Sequence, residues 1–230
     1  MRKFSTLTLL ALVLGFSSLL AQKPRNPLPF EVPFSTVEPS YIQDNLRVSL
    51  WTDRPLALYN LREAASSNDA ETAARSFLMS HAELLGFVDP ALGDLSVRQM
   101  RSSLGGTTVR FSQFFQGVQI YESETVVNIS PDQHISYVLN GYKPIESNFN
   151  SVPSITEQQA HDLAANYVGT NGRIDFDETK LYILKVNTLT KLVWQVRQIA
   201  EAPIGEWETL IDANTGDIVK CTDISCYCAP

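Results

Sequence analysis

The sequence predicts an α+β fold, with two helix-on-antiparallel-sheet units in tandem. Three observations carry this. Residues 107–142 alternate apolar and polar side chains through two turn signals, the pattern of paired strands with one buried face. Residues 68–86 and 156–169 instead repeat apolar residues at i, i+3 and i+4, and each stretch ends on glycine. A second set of strand signals follows the second helix. A sheet with one apolar face must be covered, and each helix stands beside a sheet it can cover.

Taken in order, residues 1–21 read as a signal peptide. Arg2 and Lys3 precede an apolar run over 7–20, and Leu19-Leu20-Ala21 before Gln22 marks the cleavage site. The run is too short to span a bilayer comfortably. No cysteine follows the cleavage point, so a lipid anchor is not expected. The competing reading is an uncleaved anchor. The expected location is secreted or otherwise extracytoplasmic, free of the membrane after signal cleavage. The formal net charge is -7. Without a Lys/Arg block, that acidity argues against nucleic acid and anionic membrane surfaces as partners.

Residues 22–40 carry Pro24, Pro27, Pro29, Pro33 and Pro39, which predict an extended leader. Short strands are expected over 47–51 and 56–61, with Pro55 confined to an edge or end. The first helix, 68–86, pairs Asn68 with Glu71 at its N-terminus. Ala70, Ala73, Ala74, Phe77, Leu78, Leu84 and Leu85 form its apolar face. Gly86 ends it and Phe87 closes the cap. His81 falls on that stripe and reads as a packed residue. A strand over 95–100 and a loop at Gly105-Gly106 lead into the 107–142 meander. There Val109 and Phe111 oppose Arg110 and Ser112. Ile135, Tyr137 and Leu139 oppose Ser136, Val138 and Asn140. This first unit spans 41–147.

A polar connector, 144–153, leads to the second unit, 154–221. Thr156 and Gln159 form a capping box, with Ile155 and Ala160 as a hydrophobic staple. Ala160, Leu163, Ala164, Tyr167 and Val168 make the buried stripe, and Gly169 ends the helix. Strands are expected over 180–186, 192–199, 207–211 and 217–221. Gly216 takes the positive φ of the turn at 212–216. A cysteine-containing tail, 222–230, follows. Cys221, Cys226 and Cys228 all lie in the last ten residues, so the core does not rely on disulfides. The odd count leaves one thiol over. Cys221 with Cys226 or Cys228 is the expected pair.

Catalytic motifs are missing from this sequence. It has no His-Glu-x-x-His, no Gly-x-Ser-x-Gly, no phosphate loop and no dinucleotide fingerprint. No enzyme activity, cofactor or metal site is expected. Glu122 and Glu124 share a strand face and read as solvated rather than as a Ca²⁺ site. Phe111, Phe114, Phe115 and Tyr121 read as packing groups.

The run from Thr108 to Tyr121 resembles the prodomains of fungalysin and thermolysin-type zinc metallopeptidases. Arg110, Phe111, Gln113, Gly117, Val118 and Tyr121 carry the likeness, which continues through 124–129 and Asn140-Gly141. Residues 73–78 and 84–86 resemble the helix of those prodomains. The second unit resembles the PepSY domain, through 155–160, 192–196, Trp207, Asp212 and Gly216. The resemblance implies an exported prodomain-like protein that inhibits, or assists the folding of, a thermolysin-like metallopeptidase by non-covalent binding. Two alternatives stand beside it: a non-catalytic extracellular binding module, and the truncated propeptide part of a secreted precursor. A peptidase would begin near where this chain ends, at Pro230, so the family's catalytic activity is not expected here. Contact with a peptidase is expected from the tail after Gly216, where Cys226 or Cys228 as thiolate is a candidate zinc ligand.

Overall fold

The structure, a computed structural model, describes residues 36–89 and 91–226. The expected signal peptide, most of the expected leader and Cys228 lie outside the described residues. The first half contains strands β1 (Ser40–Gln43), β2 (Leu46–Ser49), β3 (Pro55–Leu58) and β4 (Glu63–Ala64). Helices α1 (Ala70–Ser80) and α2 (Ala82–Leu85) follow, then β5 (Leu95–Ser103), β6 (Gly106–Phe115), β7 (Val118–Ile120), β8 (Thr125–Ile129) and β9 (His134–Asn140). The second half contains α3 (Glu157–Val168), β10 (Asn171–Val186), β11 (Leu189–Ala202), β12 (Ile204–Asp212) and β13 (Ile218–Asp223).

These strands form one mixed sheet, ordered β1-β2-β3-β9-β8-β6-β7-β10-β11-β12-β13, with β4 beside β9 and β5 beside β6. Its pairings are antiparallel except where β7 meets β10. The architecture is α+β, mostly strand, and a single sheet runs through both halves. The stretch 107–142 is not a simple meander. Strand β6 pairs with β8 over 107–111 and with β7 over 114–115, so it belongs to both halves.

The first core lies between α1–α2 and the sheet. Ala73, Ala74, Phe77, Leu78 and Leu85 pack on Val109, Phe111, Val127, Ile129, Ile135 and Val138. Full burial of each large member stabilises by about 1.5–3 kcal/mol. Three local expectations change here. The N-cap is Asp69, not Asn68: Asp69 Oδ1 accepts from both the backbone N–H and the hydroxyl of Thr72, at 2.8 and 2.6 Å. The helix breaks at His81, whose φ of -111° and ψ of 17° end α1, and Leu84 turns out to solvent. In β9 the register slips between Asn128–Tyr137 and Ile129–Ile135, leaving Ser136 as an extra residue. That bulge reverses the alternation. Val138 is fully buried and Leu139 is exposed.

The second core places Ala160 and Ala164 of α3 against Ile183, Leu192, Trp194, Val196 and Ile211. Small residues on α3 let it lie close to these larger side chains. The capping box forms as expected, and Gly169 closes the helix at φ 72°. Leu163, expected in the stripe, is exposed. Phe115, Val118 and Ile120, from within 41–147, pack into this second core. Strand β10 begins at Asn171, nine residues before the expected start. Its first seven residues are exposed, so no buried face imposes alternation there.

Candidate binding groove

The turn that builds the site is Gln116-Gly117. Both residues have positive φ, 49° and 83°, as a two-residue hairpin of type I′ requires. It turns β6 into β7, and β7 then runs beside β10, pairing Gln119 with Tyr182 and Ile120 with Ile183. On the side away from the helices, β5 and β6 meet β10 and β11 at an open groove of about 500 Å³. Arg98 and Phe114 form part of one wall. Tyr121, Lys180, Tyr182 and Gln195 form part of the other.

Tyr121 leaves the end of β7 and anchors that second wall. Its hydroxyl donates to Glu208 Oε1 at 2.8 Å. Lys220 Nζ donates to the same oxygen at 2.8 Å, and Gln195 Nε2 donates to Glu208 Oε2 at 2.7 Å. The Tyr121 and Tyr182 rings meet edge to face at 5.8 Å. Burial alone would raise the Glu208 pKa, but the donors outweigh it and hold the carboxyl below its usual range. Burial and the neighbouring Glu208 charge push the Tyr121 phenol well above its ordinary value. A carboxylate saturated by three donors is a clamp between β7, β11, β12 and β13. It is not poised to exchange protons.

On the facing wall, Arg98 sits at a bulge in β5, between the pairs Val97–Phe111 and Gln99–Arg110. The bulge directs its guanidinium to Glu124 at 3.2 Å, and Arg110 reaches the same carboxylate at 2.5 Å. Lys143 Nζ donates to the Tyr121 carbonyl at 2.9 Å, and burial lowers its pKa. The groove thus offers cations, amides, hydroxyls, the Glu122 carboxylate and three aromatic rings to a polar, extended ligand.

Of the residues singled out from the sequence, Phe114, Tyr121 and Glu122 line the groove, and Arg110 pairs with Glu124 outside that lining. The others hold the scaffold. Phe111 is fully buried beneath the Arg75 guanidinium, 5.1 Å from the ring centroid. Gln113 pairs with Lys143 like a strand neighbour, donating to its carbonyl and accepting from its N–H, each at 2.9 Å. Gly117 forms the hairpin and Val118 packs in the second core. Asn140 Nδ2 donates to the Pro55 and Leu85 carbonyls, both at 2.9 Å. Gly141 lies against Glu124, where a Cβ would stand 2.4 Å from the carbonyl oxygen. Trp207 is buried and donates to the Pro203 carbonyl at 3.0 Å. Asp212 accepts from Asn214 N at 3.0 Å and pairs with Lys191, while Gly216 takes φ 82°.

The sequence reading missed Glu208, Gln195 and Lys220. The available signal was a charged residue inside the apolar strand Trp207–Ile211. Cys221 and Cys226 are not bonded to each other. Cys221 points into the core from β13, with Thr209 Oγ1 3.6 Å from its sulfur, and Cys226 is exposed. The stretch after Gly216 is not a free tail at first. It forms β13 through Asp223, and Ile224 N–H still donates to Glu206 O at 2.7 Å.

His81 stacks on Phe77 at 4.2 Å between centroids. His161 Nε2 lies 2.7 Å from Asp177 and its Nδ1 3.3 Å from Asp162.

No family model matches the chain, and no curated protein matches it. Among solved structures it is similar to the C-terminal domain of Bacillus megaterium YpeB, at 16% identity, covering 79% of this chain and 76% of that one. The TM-score is 0.38, too distant a likeness to carry an argument about function.

Proposed function

We propose that the chain is an exported, non-catalytic prodomain-like protein that binds a thermolysin-like zinc metallopeptidase, inhibiting it or assisting its folding. One observation carries this reading. The run Arg110–Tyr121, on which the resemblance to such prodomains rests, joins the two helix-covered cores through β6 and β7 and ends on the groove wall. The residues of the motif therefore build one body with a groove on its helix-free side. The saturated Glu208 supports binding rather than proton transfer. A free protein of this kind lacks the roughly millimolar effective concentration of a tethered one. It needs an interface of its own, on the order of 1,200–2,000 Å² in total.

The test mixes the purified chain, from Gln22 onward, with thermolysin as a representative peptidase. Peptide hydrolysis and the yield of peptidase refolded from denaturant are both measured. Slowed hydrolysis or a higher yield is expected, weakened by Arg98→Glu and Tyr182→Ala. No effect on either readout at about 100 μM chain, roughly 5.5 kcal/mol of binding, removes the reading.

A further inference from the structure

The β2–β3 turn, the connector after β9 and the β10–β11 turn meet at a small cleft of about 50 Å³. Its described lining holds three cations, Arg54, Lys143 and Lys185, against one carboxylate, Glu38. That balance opposes the formal net charge of the chain, -7. Lys185 is already compensated, because its Nζ meets Glu146 Oε1 at 2.6 Å. Glu38 accepts from the Ser49 hydroxyl.

Arg54 and Lys143 are left without such a partner. Arg54 Nη1 donates to the Tyr142 carbonyl at 3.4 Å, and Lys143 Nζ donates to the Tyr121 carbonyl at 2.9 Å. Among the described residues neither forms an ion pair. A carbonyl supplies a dipole but no counter-charge. Burial lowers the pKa of both, outweighing Glu38 at Arg54, and Glu122 and Glu38 at Lys143. Arg54 is also packed in place: a Cβ on Gly86 would stand 2.3 Å from its Cδ. A charge drawn from water without an ion-pair partner is costly, and an anion offsets that cost.

The size of the cleft limits the anion. A water-sized atom needs about 10–15 Å³, so the cleft takes three or four of them. That is the number of oxygens on one tetrahedral oxyanion. The guanidinium offers a fork of donors and the ammonium a point charge. The Thr36 and Thr52 hydroxyls and the Asn187 amide line the same space. We propose that this cleft binds a phosphate-type oxyanion between Arg54 and Lys143. The ion joins the β2–β3 turn to the connector, and so ties the first half of the chain to the second. The site stands independently of the peptidase reading, which rests on the groove.

The chain from Gln22 onward is titrated with phosphate at constant ionic strength, chloride being the balancing ion. Tryptophan fluorescence and Tm are both followed, since Trp51 lines the cleft. A saturable fluorescence change is expected, with Tm raised by about 3–6 °C once phosphate stands tenfold above its Kd. Arg54→Met and Lys143→Met are each expected to weaken binding about tenfold or more. Trp51→Phe should lose the fluorescence change and keep the rise in Tm. Methyl phosphate then distinguishes the source. Binding equal to that of phosphate assigns the terminal phosphoryl group of a larger molecule, and binding by phosphate alone assigns the free ion. The site is overturned by the absence of a saturable change up to about 20 mM phosphate, or by the same change with chloride. A fluorescence change that survives Trp51→Phe, or unaltered binding by both charge variants, also overturns it. If the charge variants do not fold, the parent titration and Trp51→Phe decide.

Discussion

Breaking the Glu208 clamp tests how much of the groove wall depends on one buried charge. The Glu208 side chain is 8% exposed and that of Lys220 13%. Glu208→Gln keeps the shape but leaves the Lys220 ammonium buried without a counter-charge. Removing one partner of a buried pair costs about 3–5 kcal/mol, and the residual exposure of Lys220 puts this case near 3. For a chain of this size each kcal/mol moves Tm by about 2–4 °C, so a fall of about 6–12 °C is expected. Lys220→Met alone is expected to cost a similar amount. The double variant removes both charges and is expected within about 1 kcal/mol of the parent. Urea unfolding followed by tryptophan fluorescence gives all three values, with Trp207 one residue away. Additive single losses, or single losses under about 1 kcal/mol, would refute the clamp. Acid adds a second readout. The folded pKa of Glu208 is depressed, so its stabilisation is present above about pH 4.5 and is lost as pH falls through the lower folded value. Glu208→Gln removes that share of acid sensitivity.

Three further outcomes are expected. Asn140→Ala strips partners from the Pro55 and Leu85 carbonyls and from Tyr142 N–H, which donates to Asn140 Oδ1 at 3.2 Å. At about 1–3 kcal/mol for each unsatisfied buried group, reduced by water entry, a loss of about 3 kcal/mol in urea unfolding is expected. Gly106→Ala places a Cβ 2.0 Å from the Ile129 carbonyl oxygen at φ 107°, whereas at Gly117, with φ 83°, a Cβ meets nothing within 4 Å. Calorimetry should show Gly106→Ala losing at least twice the stability lost by Gly117→Ala, which carries only the left-handed cost of about 1–2 kcal/mol. Burial lowers the His161 pKa, but Asp177 and Asp162 raise it further, to a net increase. Its stabilisation is therefore full below about pH 6.5 and is lost as pH rises through the folded value. Urea midpoints between pH 5 and 8 should show that loss, no more than about 1 kcal/mol after solvent screening, and Asp177→Asn should reduce it, leaving the part due to Asp162.

Local chemistry made parts of the fold legible in advance. The Thr156–Gln159 capping box, the Gly169 and Gly86 helix ends, and the turns at Gln116-Gly117 and Gly216 each follow from a few neighbouring residues. Legibility failed where the deciding term was tertiary or cooperative. Asn68 and Asp69 are equally good caps by type, and the Thr72 hydroxyl gives Asp69 a second donor. The phase of β9 depended on a bulge at Ser136 that apolar content does not announce. Residues 171–177 pair with the end of β11 while exposed on both faces, so main-chain bonding rather than a buried face specifies that stretch and leaves no alternation to read.

The groove was harder to read for a related reason. Tyr121 and Glu208 lie 87 residues apart, and the parallel pairing of the three-residue β7 with β10 brings them together. Nothing within either local segment encodes that pairing. What the sequence does carry is a conflict: Glu208 stands inside a strand otherwise suited to burial. A buried carboxylate is tolerated only with donors, so such a conflict signals a long-range partner even when it cannot say which. Here the partners are Tyr121, Gln195 and Lys220. Through them, a motif that reads as purely structural also fixes one wall of the groove.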